Sequence, residues 1–207
     1  LLVTNMRNET NTFYRNNGSG VFDDATAQLG PAAASRPFTG FGLGFRDFNN
    51  DGRLELYIAN GAVTRGPRDY DAADPYAEPN QLYRWTRADR FEEVFPRGGT
   101  AQLLVHASRG AAFGDLDDDG GVDIVVANRD AAPYVLRNIV EARGRWISLR
   151  VLNKRGVDAI GAVVIVEAGG TRQMQSVAPS FSYCASSDPR LHFGLGAAPR
   201  VERVTVR

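Results

Sequence analysis

The sequence predicts an all-β protein made of repeated units of short strands, and two kinds of observation support this class. An acidic segment occurs twice, as DFNNDGRLE at residues 47–55 and as DLDDDGGVD at residues 115–123. No long segment repeats its apolar residues with the 3.6-residue period of an amphipathic helix. Gly30-Pro31 ends the one candidate helical turn, within residues 25–34. The regular elements are therefore expected to be strands.

Each acidic segment stands at the same place in a series of strand-like patterns. Each complete unit contains four strand-like patterns in a fixed order. The first is an apolar run that ends in asparagine, and the second is an apolar pair before arginine. The third is a phenylalanine among polar residues, and the fourth is a segment of small and aromatic residues that leads into the acidic loop. Four strands in a repeat of ~40–50 residues predict the blade of a β-propeller. In order, the patterns occupy residues 1–5, 13–15, 21–24 and 42–47, then 56–60, 82–84, 90–93 and 110–115, then 124–128 and 135–137.

Two local compositions refine the propeller prediction. Glycine and alanine at residues 42–44 and 110–112 predict close packing of the innermost strands around the propeller axis. Residues 64–79 are rich in Pro, Asp, Arg and Ala, which predicts a surface-loop insertion in the second unit. Closed propellers have about four to eight blades. We therefore expect a partial propeller, completed by further blades or by another chain.

The pattern changes after Asn138, which divides the chain in three. Residues 1–138 are predicted to form the propeller repeats, and residues 139–144 a linker. Residues 145–207, here called the C-terminal module, are predicted to form a small β-sandwich or barrel-like domain. The predicted strands of this module alternate apolar and polar residues or are continuously apolar, and Gly169-Gly170 marks a hairpin turn; they cover residues 146–152, 162–168, 171–177, 191–196 and 201–206.

Composition excludes several kinds of protein. The 207 residues carry a formal net charge of zero, so no global field attracts nucleic acid. No apolar run reaches the ~20 residues of a membrane-spanning helix. A single cysteine, Cys184, excludes an intramolecular disulfide and a cysteine-based zinc site. The two histidines, His106 and His192, lie on strand-like segments and are expected to be structural.

The two acidic segments have the side-chain chemistry of calcium-binding loops. Oxygen-bearing side chains stand at positions 1, 3, 5 and 9 around a glycine, and calcium takes six to eight oxygen ligands in a flexible shell. The backbone carbonyl at position 7 is a further candidate ligand. The sequence thus predicts two calcium sites, with the ligands Asp47, Asn49, Asp51, Arg53 (carbonyl) and Glu55 in the first loop and Asp115, Asp117, Asp119, Gly121 (carbonyl) and Asp123 in the second.

Two alternatives to these calcium sites were weighed. An EF-hand requires glutamate at position 12, where this chain has Ile58 and Val126 within apolar runs, so the EF-hand is excluded. An Asp- and Gly-rich turn without metal remains open for a single copy. Two copies between the same flanking strands favour metal binding. Because the second loop has four carboxylates against three in the first, we expect it to bind calcium more tightly.

The same residues resemble known families. The two loops are similar to the FG-GAP (VCBS-type) repeats of integrin-α-like β-propellers. The stretches Asp158-Ala-Ile-Gly161 and His192-Phe-Gly-Leu-Gly196 resemble the ASPIC/UnbV domain. Together they resemble the cartilage acidic protein-like family, including its bacterial members. This resemblance implies calcium in the propeller loops and a secreted, periplasmic or cell-surface location.

Two functions from different classes follow from the sequence. The first is a calcium-stabilised interaction or adhesion module whose partner is a protein or a glycan, with no catalytic residues. It is favoured because metal ligation accounts for the acidic clusters. The alternative is part of a carbohydrate-active enzyme, a polysaccharide lyase or hydrolase, on a propeller scaffold. That alternative requires carboxylates or arginines that converge on one face, which the sequence alone does not reveal.

Overall fold

The computed structural model describes residues 1–65, 70–71 and 73–207, and it confirms the all-β class. The helical elements are α1 (Thr26–Leu29), α2 (Pro31–Ser35) and a short 3-10 turn (Arg97–Gly99). The strands are β1 (Leu2–Val3), β2 (Thr12–Asn16), β3 (Phe22–Asp24), β4 (Gly40–Arg46), β5 (Glu55–Asn60), β6 (Glu78–Pro79), β7 (Gln81–Trp85), β8 (Phe91–Glu93), β9 (Val105–His106), β10 (Ser108–Gly114), β11 (Asp123–Asn128), β12 (Tyr134–Leu136), β13 (Arg145–Leu149), β14 (Val163–Ala168), β15 (Thr171–Ser176), β16 (Leu191–Gly196) and β17 (Arg203–Val206).

Three antiparallel sheets follow one another along residues 1–138, as expected for propeller blades. Their strand orders are β1-β2-β3, β4-β5-β7-β8 and β10-β11-β12. Each acidic loop is the hairpin between the first two strands of its sheet, β4-β5 or β10-β11. The repeat unit drawn from the sequence therefore straddles two blades: the strand before each acidic loop pairs with the strand after it.

Close packing between the first strands of neighbouring sheets is confirmed. A methyl group added at Gly42 of β4 would lie 2.5 Å from the backbone nitrogen of Ala111 in β10. This distance leaves no room for a side chain, which explains the glycine. Apolar side chains fill the spaces on either side of β5: Leu2, Leu56, Ile58, Tyr83 and Phe91 form one buried cluster, and Phe48, Tyr57, Ala59, Ala111, Phe113, Val122, Ile124 and Val126 form the other.

The insertion predicted at residues 64–79 lies partly outside the described residues, since 66–69 and 72 are not described. Its last residues form β6, which pairs with β9. Glu78 of β6 is only 3% exposed, and its carboxylate accepts a hydrogen bond of 2.8 Å from the Thr39 backbone N–H. Burial raises the pKa of Glu78 to about 7, although that hydrogen bond and the charges of Arg7 and Arg109 oppose the shift.

We expect Glu78 to make the stability of the protein depend on pH. The folded state holds the Glu78 proton more tightly than the unfolded chain, so this contribution is complete below about pH 4.5 and is lost as the pH rises to about 7. Between pH 4.5 and 7, the free energy of unfolding of Glu78→Gln should fall by about 1 to 3 kcal/mol less than that of the wild type, because one pKa unit corresponds to about 1.36 kcal/mol. Chemical unfolding of calcium-saturated protein between pH 4.5 and 7 measures the difference. The exposed Glu9→Gln variant is the control, and parallel profiles of Glu78→Gln and wild type would contradict the prediction.

The C-terminal module contains two small sheets, β13-β16 and β15-β14-β17. The hairpin turn predicted between β14 and β15 is confirmed, with φ of 55° at Gly169 and 76° at Gly170. Buried side chains from both sheets join in one core, formed by Val164, Val166, Val177, Leu191 and Phe193.

Candidate metal centre

The first acidic loop is folded around the carboxylate at its first position. Asp47 accepts hydrogen bonds from the backbone N–H groups of Asp51 (3.0 Å) and Gly52 (2.7 Å). At the other end of the loop, Glu55 accepts a bond of 2.8 Å from the backbone N–H of Phe48. Asp47 and Glu55 are 4% and 7% exposed, so both carboxylates lie at the buried base of the hairpin.

The second loop repeats this arrangement position by position. Asp115 accepts hydrogen bonds from the backbone N–H groups of Asp119 (3.1 Å) and Gly120 (2.9 Å). Asp123 accepts a bond of 2.8 Å from the backbone N–H of Leu116. Asp115 is 7% and Asp123 2% exposed. The two loops are thus structural copies, as the repeated sequence predicts.

Positions 4 and 6 of both loops adopt left-handed backbone angles. In the first loop φ is 59° at Asn50 and 88° at Gly52, and in the second it is 56° at Asp118 and 83° at Gly120. Asn, Asp and above all Gly tolerate this conformation. Turn chemistry therefore explains positions 4 and 6. The side-chain oxygens at positions 1, 5 and 9 of both loops accept backbone N–H bonds, so the turns use these atoms as well.

Three carboxylates of the second loop converge on one point. Oxygen atoms of Asp115, Asp117 and Asp123 all lie within 4.8 Å of one another. Calcium binds oxygen at 2.3–2.6 Å, so two ligands on opposite sides of one ion are about 5 Å apart. These three predicted ligands therefore fit a single calcium ion.

The remaining carboxylate of the second loop, Asp119, is held by an arginine from the predicted linker. Arg143 donates one hydrogen bond of 3.0 Å to each oxygen of Asp119. The hydrogen bond from Arg143 and a further bond from the Gly121 N–H lower the pKa of Asp119 to about 2. Arg137 pairs with Asp117 at 2.6 Å. A cation in this loop would compete with these arginines for the carboxylates at positions 3 and 5.

The first loop is less converged than the second. Within the described residues, no group of three gathered carboxylates includes Asp47, Asp51 or Glu55. Asn49 uses its amide oxygen to accept from the Asp51 N–H at 3.0 Å, and Asp51 accepts from the Arg53 N–H at 2.8 Å.

Burial raises the pKa of carboxylates in both loops, including that of Asp115 in the second, and the effect is largest in the first. Burial raises the pKa of Asp47 to about 6 and that of Glu55 to about 8, and neighbouring carboxylates add to both shifts. A cation must therefore displace protons in the first loop. Both this cost and the looser arrangement of its carboxylates agree with the predicted ranking of the two sites.

The structure places Asn50, which sequence reasoning did not select, at a junction of three segments. Its side chain donates to the Gly120 carbonyl of the second loop at 2.9 Å and lies 2.7 Å from His192 Nε2. Its carbonyl accepts from the Gly196 N–H at 2.8 Å. Asn50 is 1% exposed. This residue ties the first loop both to the second loop and to β16 of the C-terminal module.

Arg190 forms a second bridge from the C-terminal module to the loops. Its guanidinium donates to the Asp118 carboxylate at 2.6 Å, to the Asp115 carbonyl at 2.7 Å and to the Asp188 carboxylate at 2.6 Å. The spacing of the loops gives no signal for this contact, because it joins distant parts of the chain. Both acidic loops therefore form part of the surface on which the C-terminal module is seated.

His192 packs at the junction between the C-terminal module and the first loop. It stacks on the Trp146 ring with the centroids 5.5 Å apart, and burial lowers its pKa to about 4. The imidazole is therefore neutral at physiological pH, which suits its contact with the Asn50 amide oxygen.

Comparison with known families agrees with this architecture. Residues 1–58 match the model of the FG-GAP-like repeat, and residues 153–207 match the model described as ASPIC and UnbV. The first match includes the first acidic loop, and the ASPIC/UnbV match includes Arg190 and His192, which contact the loops.

Two curated relatives are similar to the chain over most of its length. Cartilage acidic protein 1 of Xenopus tropicalis is 29% identical over 72% of this chain, and cartilage acidic protein 1 of Homo sapiens is 24% identical over 91% of it. The aligned regions span 22% and 36% of those two proteins, so the chain corresponds to a minor part of each. The homology is distant.

None of the helices among the described residues is long and apolar enough to cross a membrane.

Proposed function

We propose that this chain is a calcium-stabilised, extracellular interaction module that binds a protein or glycan partner. The convergence of Asp115, Asp117 and Asp123 within 4.8 Å is the observation that supports calcium most directly. Mutual repulsion of such carboxylates opposes folding until a cation neutralises them. The FG-GAP-like repeat and the similarity to cartilage acidic protein 1 support an extracellular setting.

The position of the loops gives calcium a structural role in this proposal. Each loop joins two strands of a blade, and both loops contact the C-terminal module through Asn50 and Arg190. Calcium would fix the conformation of both hairpins and thereby stabilise the surface against which the C-terminal module packs. The partner would bind a surface that this scaffold keeps rigid, since loops on rigid scaffolds commonly carry recognition.

Thermal unfolding with millimolar calcium or with chelator tests the calcium part of the proposal. Binding to the folded state alone stabilises it by about 2.7 kcal/mol at a hundredfold excess over Kd. For a chain of this size, that corresponds to a rise in Tm of about 5 to 10 °C. Extracellular modules bind with Kd of about 0.1 to 1 mM, so about 10 mM calcium gives this hundredfold excess at the tight end of that range. Magnesium at the same concentration is the control; equal midpoints with calcium and chelator would refute the proposal.

A further inference from the structure

A cavity of about 640 Å³ lies between the propeller strands and the C-terminal module. Its size falls within the ~300–1,000 Å³ range of small-molecule sites, which often lie at domain interfaces. Much of the lining is apolar and includes Leu43, Phe45, Phe113, Met174 and Phe181. These side chains favour a ligand with an apolar part.

Arg46, at the end of β4, is the arginine of this cavity that forms no salt bridge within the described residues, whereas Arg190 is paired with Asp118 and Asp188. Its guanidinium carbon lies 4.4 Å from the centre of the Phe181 ring and 5.5 Å from that of Phe113. One guanidinium N–H group donates to the neighbouring Phe45 carbonyl at 2.9 Å. No carboxylate of the described residues lies within 4.0 Å of the guanidinium. Arginine has five N–H donors and stays charged in proteins, so Arg46 retains capacity to pair with an anion.

The carboxylates around the cavity limit the charge of that anion. Asp188, whose negative charge acts on Arg46, already accepts hydrogen bonds from the Arg190 side chain at 2.6 Å and from the Arg190 backbone N–H at 2.9 Å. Asp47 and Asp115 also line the cavity. These negative charges disfavour phosphate and other dianions, whereas a single carboxylate matches the planar fork of a guanidinium.

We propose that this cavity binds a small amphipathic monocarboxylate. Its carboxylate pairs with Arg46, and its apolar body lies against Leu43, Phe45 and Phe181. The cavity borders both acidic loops through Asp47 and Asp115. The proposal nevertheless depends on Arg46 and the apolar walls, and not on calcium.

Calorimetric titration of the full chain with 4-phenylbutyrate, in millimolar calcium, tests this site. We expect saturable binding of 4-phenylbutyrate. The uncharged analogue 4-phenylbutanol should bind at least about tenfold more weakly because it lacks the charge-assisted hydrogen bond to Arg46. The dianion phenyl phosphate should bind at least about tenfold more weakly because Asp47, Asp115 and Asp188 repel its second charge. This comparison uses unaltered protein, so it does not depend on a variant that folds. Absence of saturable binding, or equal binding of the acid and the alcohol, overturns the proposal.

Substitution of the arginine locates the site. Arg46→Gln should weaken 4-phenylbutyrate binding at least about tenfold, and Arg46→Lys by less, because lysine keeps the charge without the planar fork. Arg172→Gln, on the exposed side of β15, is the matched control and should bind as the unaltered chain does. Equal affinity of folded Arg46→Gln and unaltered protein overturns the assignment. Titration in chelator measures the site without calcium, and saturable binding of the acid there shows that Arg46 and the cavity suffice.

Discussion

Asp115→Ala is expected to remove the tighter of two calcium-binding events and to leave the weaker one. The side chain at this position belongs to the one group of three converged carboxylates found among the described residues. Loss of one charged ligand from such a group costs about 1.5–3 kcal/mol, or about 10- to 100-fold in Kd. Asp47→Ala should affect the weaker event instead, because the first loop is less converged and its carboxylates hold protons more tightly.

Calcium titration of both variants by calorimetry measures these effects. Asp23→Ala removes an exposed carboxylate of β3, far from either loop in sequence, and serves as the control. A higher residual affinity in Asp115→Ala than in Asp47→Ala would reverse the ranking of the sites. If calcium binding is unchanged in both variants, calcium does not bind at the acidic loops.

Gly194→Ala is expected to loosen the C-terminal module from the first acidic loop. A methyl group at this position of β16 would overlap the Asp47 carboxylate and lie 2.6 Å from the Asn50 Cα. Asn50 is held by its side-chain bond to the Gly120 carbonyl and by the bond from the Gly196 N–H to its own carbonyl, so its backbone does not move easily. Overpacking of this kind costs about 1–3 kcal/mol or more, which lowers Tm by about 3 to 10 °C. The added methyl also displaces a predicted ligand, so calcium should bind the first loop less tightly.

Thermal unfolding in saturating calcium, followed by calcium titration, measures both consequences. Ala197→Val adds volume at an exposed position three residues later and is the matched control. If Gly194→Ala and Ala197→Val have the same Tm and the same calcium affinity, the contact between β16 and the first loop does not contribute to stability, and the prediction is wrong. A lower Tm with unchanged calcium affinity would confine the effect to packing.

The sequence by itself determined the strands and the form of the acidic loops. Alternation along residues 171–176 and the glycines at 169–170 specify a hairpin locally, because side-chain period and positive φ depend on neighbouring residues alone. The same applies to Asp47 and Asp115, whose carboxylates accept hydrogen bonds from N–H groups four and five residues later. Repetition of the loop made its conformation predictable.

Tertiary structure decided which strands share a blade and what the loops contact. The strand before each loop pairs with the strand after it, a choice that the order of patterns left open. Asn50 and His192 meet across 142 residues of sequence, and Arg190 reaches Asp118 across 72. Partners so far apart are brought together only when the blades and the C-terminal module pack, so no local spacing encodes them. The surroundings of Arg46 were likewise set by tertiary packing. Its aromatic neighbours Phe113 and Phe181 come from β10 and from the C-terminal module, which are distant from Arg46 in sequence.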